Sequence, residues 1–134
     1  MMFLLDTNVC IQYLRGRSPN LVKILHSHRP EQIAVCSIVK AEMYFGAMKS
    51  LDPAKTLLQQ DIFLQKFESL PFDDRAARYF GKIRADLSRQ GTPIGPYDLQ
   101  IAAIALANGC TLVTHNISEF SRVRGLALED WEGG

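Results

Sequence analysis

The first strand-to-helix transition, close to the start of the chain, constrains the fold more than any other feature. Three apolar residues, Phe3-Leu4-Leu5, lead directly into Asp6, and the polar residues Thr7 and Asn8 follow before an apolar pattern resumes. This order predicts a buried strand, a polar break and a helix that Thr7 or Asn8 could cap. In open α/β sheets, ligands bind at the carboxyl ends of the strands. Asp6 is therefore the first candidate site residue.

Apolar segments alternate with helical segments along the rest of the chain, which is typical of a parallel sheet covered by helices. Further strands are predicted at residues 33–36, 70–72, 111–114 and 126–128. Helices are predicted to begin near residues 7, 19, 37, 53, 74 and 97 or 98, from caps, breakers and apolar spacing. We therefore predict a single α/β domain with a central parallel sheet of four to five strands and helices on both faces.

Composition supports one ordinary globular domain and excludes a uniformly basic nucleic-acid-binding protein. The chain has 134 residues, 47% of them hydrophobic and 22% charged, with a formal net charge of +1, so any basic surface must be local. The cysteines Cys10, Cys36 and Cys110 are odd in number and lie in apolar contexts, which predicts free thiols and a cytoplasmic location. No apolar run approaches the roughly 20 residues that span a bilayer, so no membrane association is expected.

Three further polar positions repeat the pattern seen at Asp6. Glu42 lies one turn into the helix after the second strand, Asp98 opens the helix before the fourth strand, and Asn116 follows that strand. Carboxylates brought together among apolar neighbours would repel one another and lose hydration, and a bound Mg²⁺ would relieve both penalties. Each position also has a simpler explanation, as a helix cap, a solvated residue, a first-turn acid or a turn residue. Spacing alone leaves both explanations open.

Four groups of residues, together with the end of the chain, occur in the order and spacing of a known family. They are Leu4-Leu5-Asp6-Thr7-Asn8; Ser37 with Ala41-Glu42 and Gly46; Pro93-Ile94-Gly95 with Asp98 and Ile101-Ala102; Leu112-Val113-Thr114 with Asn116, Glu119 and Phe120; and the closing Gly125-Leu126 and Glu129-Asp130-Trp131. On these residues the chain resembles the PIN-domain ribonucleases, specifically the VapC-type toxins of bacterial toxin–antitoxin pairs. The resemblance covers almost the whole length.

The resemblance implies a PIN-like fold and a metal-dependent catalytic site. Asp6, Glu42 and Asp98 correspond to metal-binding acids, and Asn116 stands where many PIN domains have a fourth acid. The implied cofactor is Mg²⁺, with Mn²⁺ able to substitute. Because Asn brings no charge, one metal ion is expected rather than two, and Asn116 would complete the catalytic set. The supporting polar residues are expected to be Thr7, Asn8, Ser37, Thr114 and Glu119.

The resemblance also implies a reaction and partners. Family members cleave single-stranded or structured RNA, some of them initiator tRNA, and thereby inhibit translation. A cognate VapB-type antitoxin neutralises the toxin, and the complex binds operator DNA through the antitoxin. A homodimer is expected.

Two other functions fit an acidic pocket and are retained as alternatives. A haloacid-dehalogenase-like phosphatase would use Asp6 as its nucleophile but normally has a second Asp two residues later, where this chain has Asn8. A catalytically silent acidic-pocket binding module, such as a receiver domain, would have a Lys after a late strand, and Thr114-His115-Asn116 contains none.

Two surface features suggest macromolecular contacts. Basic side chains share one face of the helix after residue 73 and could bind RNA phosphates, although a solvated helix face explains them equally simply; they are Arg75, Arg78, Lys82 and Arg89. Large apolar residues on two short helices exceed what a core needs and could line a groove for a partner helix, although core packing is the alternative; they are Tyr13, Met43, Tyr44, Phe45 and Met48. Of these, the residues predicted for an antitoxin groove are Tyr13, Met43, Tyr44 and Met48.

Overall fold

A five-stranded parallel sheet forms the centre of the structure, a computed structural model that describes residues 1–133. The strands lie in the order β3-β2-β1-β4-β5. They are β1 (Phe3–Leu5), β2 (Ile33–Cys36), β3 (Glu68–Leu70), β4 (Thr111–Val113) and β5 (Leu128–Glu129). The predicted fold class is confirmed, and the five strands agree with the predicted number of four to five.

Seven α-helices flank the sheet in the described part of the chain. They are α1 (Thr7–Arg15), α2 (Pro19–Ser27), α3 (Ser37–Met48), α4 (Pro53–Leu64), α5 (Asp74–Gln90), α6 (Pro96–Ala107) and α7 (Ile117–Phe120), and a 3₁₀ turn spans Pro30–Gln32. The consecutive helices α3 and α4 pack on each other, and Gln60 Nε2 donates a hydrogen bond to the Met43 carbonyl at 3.0 Å. Helices α5 and α6 form a second packed pair.

The three central strands are buried along their whole length, which places the core between the sheet and the helices. Leu4, Leu5 and Leu112 have no exposed surface, and all four residues of β2 are buried. Strands whose successive side chains are all buried are covered on both faces, as expected for a parallel sheet. Helix α6 is also buried through most of its length, from Leu99 to Ala107.

Both outer strands lie one to two residues away from their predicted positions. Strand β3 ends at Leu70 rather than beginning there, because Pro71 has no N–H to donate and cannot extend the ladder. Strand β5 begins at Leu128 rather than at 126, and it pairs with β4 through a Leu112–Leu128 register. The apolar Leu126-Ala127-Leu128 run suggested an earlier start, but the chain emerges from a left-handed turn at Gly125 (φ 84°) just before it.

The first helix has a different cap from the one predicted. Asp6, rather than Thr7 or Asn8, is the N-cap residue of α1, and its Oδ1 accepts a hydrogen bond from the Val9 N–H at 2.8 Å. The strand therefore passes into the helix without any intervening loop. Asp6 both caps the helix and stands at the carboxyl end of β1, so its helix-cap role and its candidate site role coincide.

The sheet reverses its direction of growth between β1 and β4. Strands β2 and β3 extend the sheet on one side of β1, and β4 and β5 extend it on the other. Such a switch point opens a crevice outside the carboxyl ends of the two adjacent strands, where ligands bind in open α/β sheets. Asp6 directly follows β1, and Thr114 directly follows β4. Within residues 1–133, no helix is long and apolar enough to cross a membrane.

Candidate acidic active site

Asp6 is the buried centre of the crevice, with 5% of its surface exposed. The pKa of its carboxyl group is raised from 3.8 to about 6, mainly by burial and in smaller part by the nearby charges of Glu132 and Glu42. Hydrogen bonds from the Thr114 side chain and the Val9 N–H oppose this rise. The two hydrogen bonds therefore do not fully compensate the Asp6 carboxylate for the hydration that it loses on burial.

Glu42 reaches the crevice from α3 and is connected to α1. Thr7 Oγ1 donates a hydrogen bond of 2.6 Å to Glu42 Oε1, which joins the first residue of α1 to a position one turn into α3. The charge of Glu42 raises the pKa of both Asp6 and Asp98. The acids predicted from separate segments therefore lie close enough to interact electrostatically.

Asp98 approaches from the first turn of α6 and is part of a second polar network. Its pKa is raised to about 6, mainly by burial and then by the charges of Glu119, Glu42 and Asp6, and interaction with the Glu119 side chain acts in the same direction. Glu119 Oε2 in turn accepts a hydrogen bond from Asn116 Nδ2 at 2.9 Å. Asp98 therefore lies among acidic neighbours whose charges disfavour its ionised form.

Thr114 joins the two networks. Its Oγ1 accepts a hydrogen bond of 3.0 Å from the Asn116 N–H, while its side chain also hydrogen bonds to Asp6. A chain of polar contacts thus runs from Asp6 through Thr114 and Asn116 to Glu119 and Asp98. Glu42 and its hydrogen-bond donor Thr7 belong to the same site as this chain of contacts, so the site contains all three predicted acids.

Two of the predicted supporting residues lie outside this network. Asn8 is exposed in the first turn of α1, and Ser37 is the exposed first residue of α3. Among the side-chain hydrogen bonds of residues 1–133, those that connect the acids involve neither residue. The structure therefore places them at the edge of the site and assigns them no contact with its carboxylates.

Glu132 is a fifth acid near Asp6 that the sequence patterns missed. Its charge acts on the Asp6 pKa more strongly than that of Glu42, and its Oε2 atom is buried with no hydrogen-bond partner within residues 1–133. Trp131 anchors this segment by stacking on His28, with ring centroids 5.0 Å apart. No sequence motif marks Glu132, because it comes near Asp6 only after the C-terminal segment folds back onto the domain. In the sequence, the neighbouring Trp131 was the one residue that indicated that this segment packs against the domain.

The donor set fits a hard divalent cation. Every candidate ligand is an oxygen, and the raised pKa values of Asp6 and Asp98 show that the carboxylates lack compensating positive charge. Within residues 1–133, no three Asp, Glu, His or Cys side chains are already gathered into a closed metal-binding group. Mg²⁺ does not need such a group, because it commonly binds one or two protein carboxylates and keeps several waters.

The basic residues of α5 lie on one exposed face, away from the buried Ala76 and Leu87. Arg89 forms an ion pair with Asp86 on the same helix, which compensates part of its charge. Among residues 1–133, no acidic side chain lies within ion-pair distance of Arg75, Arg78 or Lys82. The positive charges of these three side chains are therefore available to bind phosphate groups.

The residues predicted to line an antitoxin groove do not share one surface. Met43 is 1% exposed and belongs to the core. Tyr13 stacks on an aromatic ring of α4, the Tyr44 hydroxyl donates to an α4 carboxylate, and Met48 is 62% exposed. Helical geometry turns Tyr44 and Met48 by about 100° from their neighbours Met43 and Ala47. Because Met43 is buried, the four residues do not form one exposed surface, and the location of the antitoxin-binding surface stays a prediction.

A different groove lies between α1, α3 and α4. It has a volume of about 470 Å³, and Met43 and Gly46 form part of its α3 wall. Ile11 and Leu14 line it from α1, and Glu42 also belongs to its lining. The groove therefore adjoins the acidic site through Glu42.

The fold and site together define a class of protein, namely single-domain α/β proteins with clustered carboxylates at the switch point of a parallel sheet. The family model described as PIN domain matches residues 3–126. The tRNA(fMet)-specific endonuclease VapC of Salmonella typhimurium is 40% identical over 129 residues, which cover 96% of this chain and 97% of that relative. Ribonuclease VapC2 of Rickettsia felis is 38% identical over 136 residues, covering 98% and 99% of the two chains.

Solved structures agree with these relatives. The DNA-bound VapBC structure from Salmonella typhimurium matches with a TM-score of 0.92 and 38% identity, covering 98% of both chains. The VapBC2 structure from Rickettsia felis, bound to a promoter DNA fragment, matches with a TM-score of 0.91 and 36% identity, covering 98% of this chain and 99% of that chain. The chain belongs to the VapC group of the PIN-domain family.

Proposed function

We propose that this protein is a metal-dependent endoribonuclease, the toxin of a VapBC toxin–antitoxin pair. The observation that carries the proposal is the convergence of Asp6, Glu42 and Asp98 at the switch point, with the pKa values of Asp6 and Asp98 both raised to about 6. The names of its relatives as ribonucleases support the reaction class. Neither the phosphatase nor the silent binding module gains support from the family match.

Asp6 and Asp98 are the residues that would hold Mg²⁺, with Glu42 beside them. When bound, Mg²⁺ would supply Lewis-acid stabilisation of the charge that develops on the phosphate and would lower the pKa of an attacking water. Thr7 orients Glu42 through its 2.6 Å hydrogen bond, and Thr114 orients Asp6. The residues thus position ligands and protons, and no covalent enzyme intermediate is required.

The proposed substrate is structured or single-stranded RNA, with initiator tRNA as the first candidate. The Salmonella typhimurium relative is named for its specificity towards tRNA(fMet), and it aligns with this chain over almost the full length of both proteins. Cleavage of initiator tRNA would inhibit translation. We accordingly place the protein in the cytoplasm, where this RNA is found.

The proposed partner is a VapB-type antitoxin, because the matched structures are VapBC complexes, two of them bound to DNA. Binding of operator DNA would occur through the antitoxin, which agrees with the net charge of only +1 on this chain. We also propose that the toxin forms a homodimer.

The proposed activity is tested by incubating the purified protein with initiator tRNA, a generic single-stranded RNA and a small phosphate ester. Cleavage of RNA with added Mg²⁺ or Mn²⁺, loss of cleavage in EDTA and no release of phosphate from the ester are expected. Hydrolysis of the ester without RNA cleavage would favour the phosphatase, and the absence of both reactions would favour a silent binding module.

Reversing two charges on α5 is expected to weaken RNA binding. In the Arg78→Glu, Lys82→Glu double variant, the dissociation constant for RNA should rise and its dependence on salt should become shallower, because fewer counterions are released. Binding is measured at several salt concentrations, with single-turnover cleavage at saturating protein as the check on chemistry. Arg89→Glu serves as the matched control, because Asp86 already compensates Arg89. An unchanged salt slope in the double variant would identify this face as ordinary solvated surface.

The groove between α1, α3 and α4 is the proposed site for the antitoxin tail. Leu14 is 38% exposed and lines this groove, so Leu14→Glu is expected to weaken antitoxin binding while RNA cleavage persists. Met48→Glu is the matched control, because Met48 is exposed on a different face of α3. Affinity is measured by titrating each variant with the cognate antitoxin. Loss of binding in the Met48 variant alone would instead support the surface predicted from sequence.

Asn116 is expected to act through Glu119 rather than as a source of charge. Asn116→Ala removes the hydrogen bond to Glu119 Oε2, so cleavage should slow more than metal affinity falls. Asn116→Asp adds a carboxylate and should tighten binding of Mn²⁺, measured by titration calorimetry. One metal ion per site is expected in the wild type. Two equally tight ions, or normal turnover in the alanine variant, would contradict this role.

A further inference from the structure

A second pocket beside the acidic site presents two exposed aromatic side chains. It has a volume of about 380 Å³ and is lined by Ala41, Glu42, Phe45 and Tyr97. Phe45 is 63% exposed and Tyr97 is 58% exposed, although aromatic residues usually bury most of their surface. The core does not account for either side chain.

The pocket is continuous with the acidic site. Glu42 borders the pocket and also takes part in the acidic network, and Phe45 follows it by three positions, on the same side of α3. Tyr97 directly precedes Asp98 in the first turn of α6. Lys49 Nζ lies 4.5 Å from the centroid of the Phe45 ring, which places a positive charge beside the pocket. Two aromatic side chains and a carboxylate thus line one space, and a cation lies over the ring of Phe45.

We propose that Phe45 and Tyr97 hold an unpaired RNA base next to the phosphodiester bond that is cleaved. The inference rests on the proposed ribonuclease function and names how that site selects its substrate. Bases stack on aromatic side chains whatever their identity, because every base has a flat π face. A base edge also carries N–H donors that can satisfy Glu42, and Lys49 offsets the repulsion between the acids and the RNA backbone.

A protein segment fits the same pocket less well. An apolar side chain seated there would cover Glu42 while leaving Thr7 as its hydrogen-bond donor on one carboxylate oxygen only, and covering a charged group without further donors is costly. The chemistry of the lining therefore favours a nucleobase over an antitoxin segment or a second copy of this chain. Selection for an unpaired base would direct cleavage to loops and single strands and away from duplex RNA.

The test uses a stem–loop RNA in which 2-aminopurine, or an abasic nucleotide, is moved through the loop one position at a time. Phe45→Leu and Tyr97→Leu remove the flat rings while keeping apolar bulk. Asp98→Asn in each background prevents cleavage during binding measurements. Leu58→Ala is the matched control, because Leu58 is 62% exposed on α4 and lies outside the pocket.

In the Asp98→Asn background, quenching of 2-aminopurine fluorescence is expected at one loop position and should be lost in both leucine variants. In the cleaving proteins, an abasic nucleotide at that position should lower single-turnover kcat/KM by roughly 5- to 150-fold, the fold-change that corresponds to stacking one base. The leucine variants should show no such discrimination, and Tyr97→Phe should restore it. Unchanged Mn²⁺ affinity would exclude damage to the acidic site.

Two results would overturn the inference. The first is quenching and abasic discrimination that persist in both leucine variants. The second is loss of antitoxin binding or self-association in those variants while discrimination is retained, which would identify the pocket as a protein interface. If the wild type cleaves no RNA, the proposed function fails, and the fluorescence measurement still decides whether the pocket holds a base.

Discussion

Replacing Asp98 with Asn is expected to reduce RNA cleavage by on the order of a hundredfold to a thousandfold, the usual cost of removing one electrostatic contact to a transition state. Asp6→Asn and Glu42→Gln should have comparable effects. Each substitution keeps the size of the side chain and an oxygen acceptor, so the hydrogen bonds from Val9 and Thr7 can persist. The change therefore removes charge with little effect on the local structure.

The measurement is single-turnover cleavage at saturating Mg²⁺, with circular dichroism to verify folding. Asp74→Asn is the matched control, because Asp74 is an exposed acid in the first turn of α5. Full activity in any two of the three site variants would contradict the proposed acidic centre. Full activity of the wild type in EDTA would contradict the metal requirement separately.

The Asp6→Asn variant is also expected to be more stable than the wild type when metal is absent and the pH is near 7.5. Burial raises the pKa of Asp6 from 3.8 to about 6, so between these pH values the folded protein binds more protons than the unfolded chain. The free energy of unfolding of the wild type therefore falls as pH rises through this window. Asn carries no charge at any pH and avoids this loss.

The gain is at most about 3 kcal/mol, from 1.36 kcal/mol for each pH unit between the two pKa values, and this upper limit corresponds to roughly 10 °C in Tm. It should be largest above pH 6 and should disappear near pH 4, where the Asp6 carboxyl group is neutral in the folded protein. Thermal unfolding in EDTA from pH 4 to pH 8 measures it, with Asp74→Asn as the control. A variant that melts below the wild type at pH 7.5 would show that the Asp6 carboxylate stabilises the fold.

Local sequence patterns were sufficient to predict the three central strands. Their apolar runs end abruptly in polar residues, so both their position and their burial could be read directly. The outer strands were harder, because β3 and β5 each pair with a neighbour on one side only and their ends depend on that pairing. The cap of α1 was assigned one or two residues too late because a strand that enters a helix without a loop leaves no separate capping residue.

The acids of the site were predictable for a similar reason. Asp6 interrupts an apolar pattern, and Glu42 and Asp98 stand near the starts of helices that are otherwise apolar. The contacts that support them were not predictable. The hydrogen bond between Thr7 and Glu42 joins residues 35 positions apart, and no local pattern encodes such a contact.

By itself, the sequence determined the alternation of buried strands and helices, the three candidate site carboxylates and the family to which the chain belongs. These features depend on residues within a few positions of one another, where periodicity and capping act. Only the tertiary structure placed Glu132 beside Asp6 and buried Met43 in the core. It also brought Phe45 and Tyr97 to one pocket. Such distant pairs meet through the packing of whole helices against the sheet, which depends on the entire core.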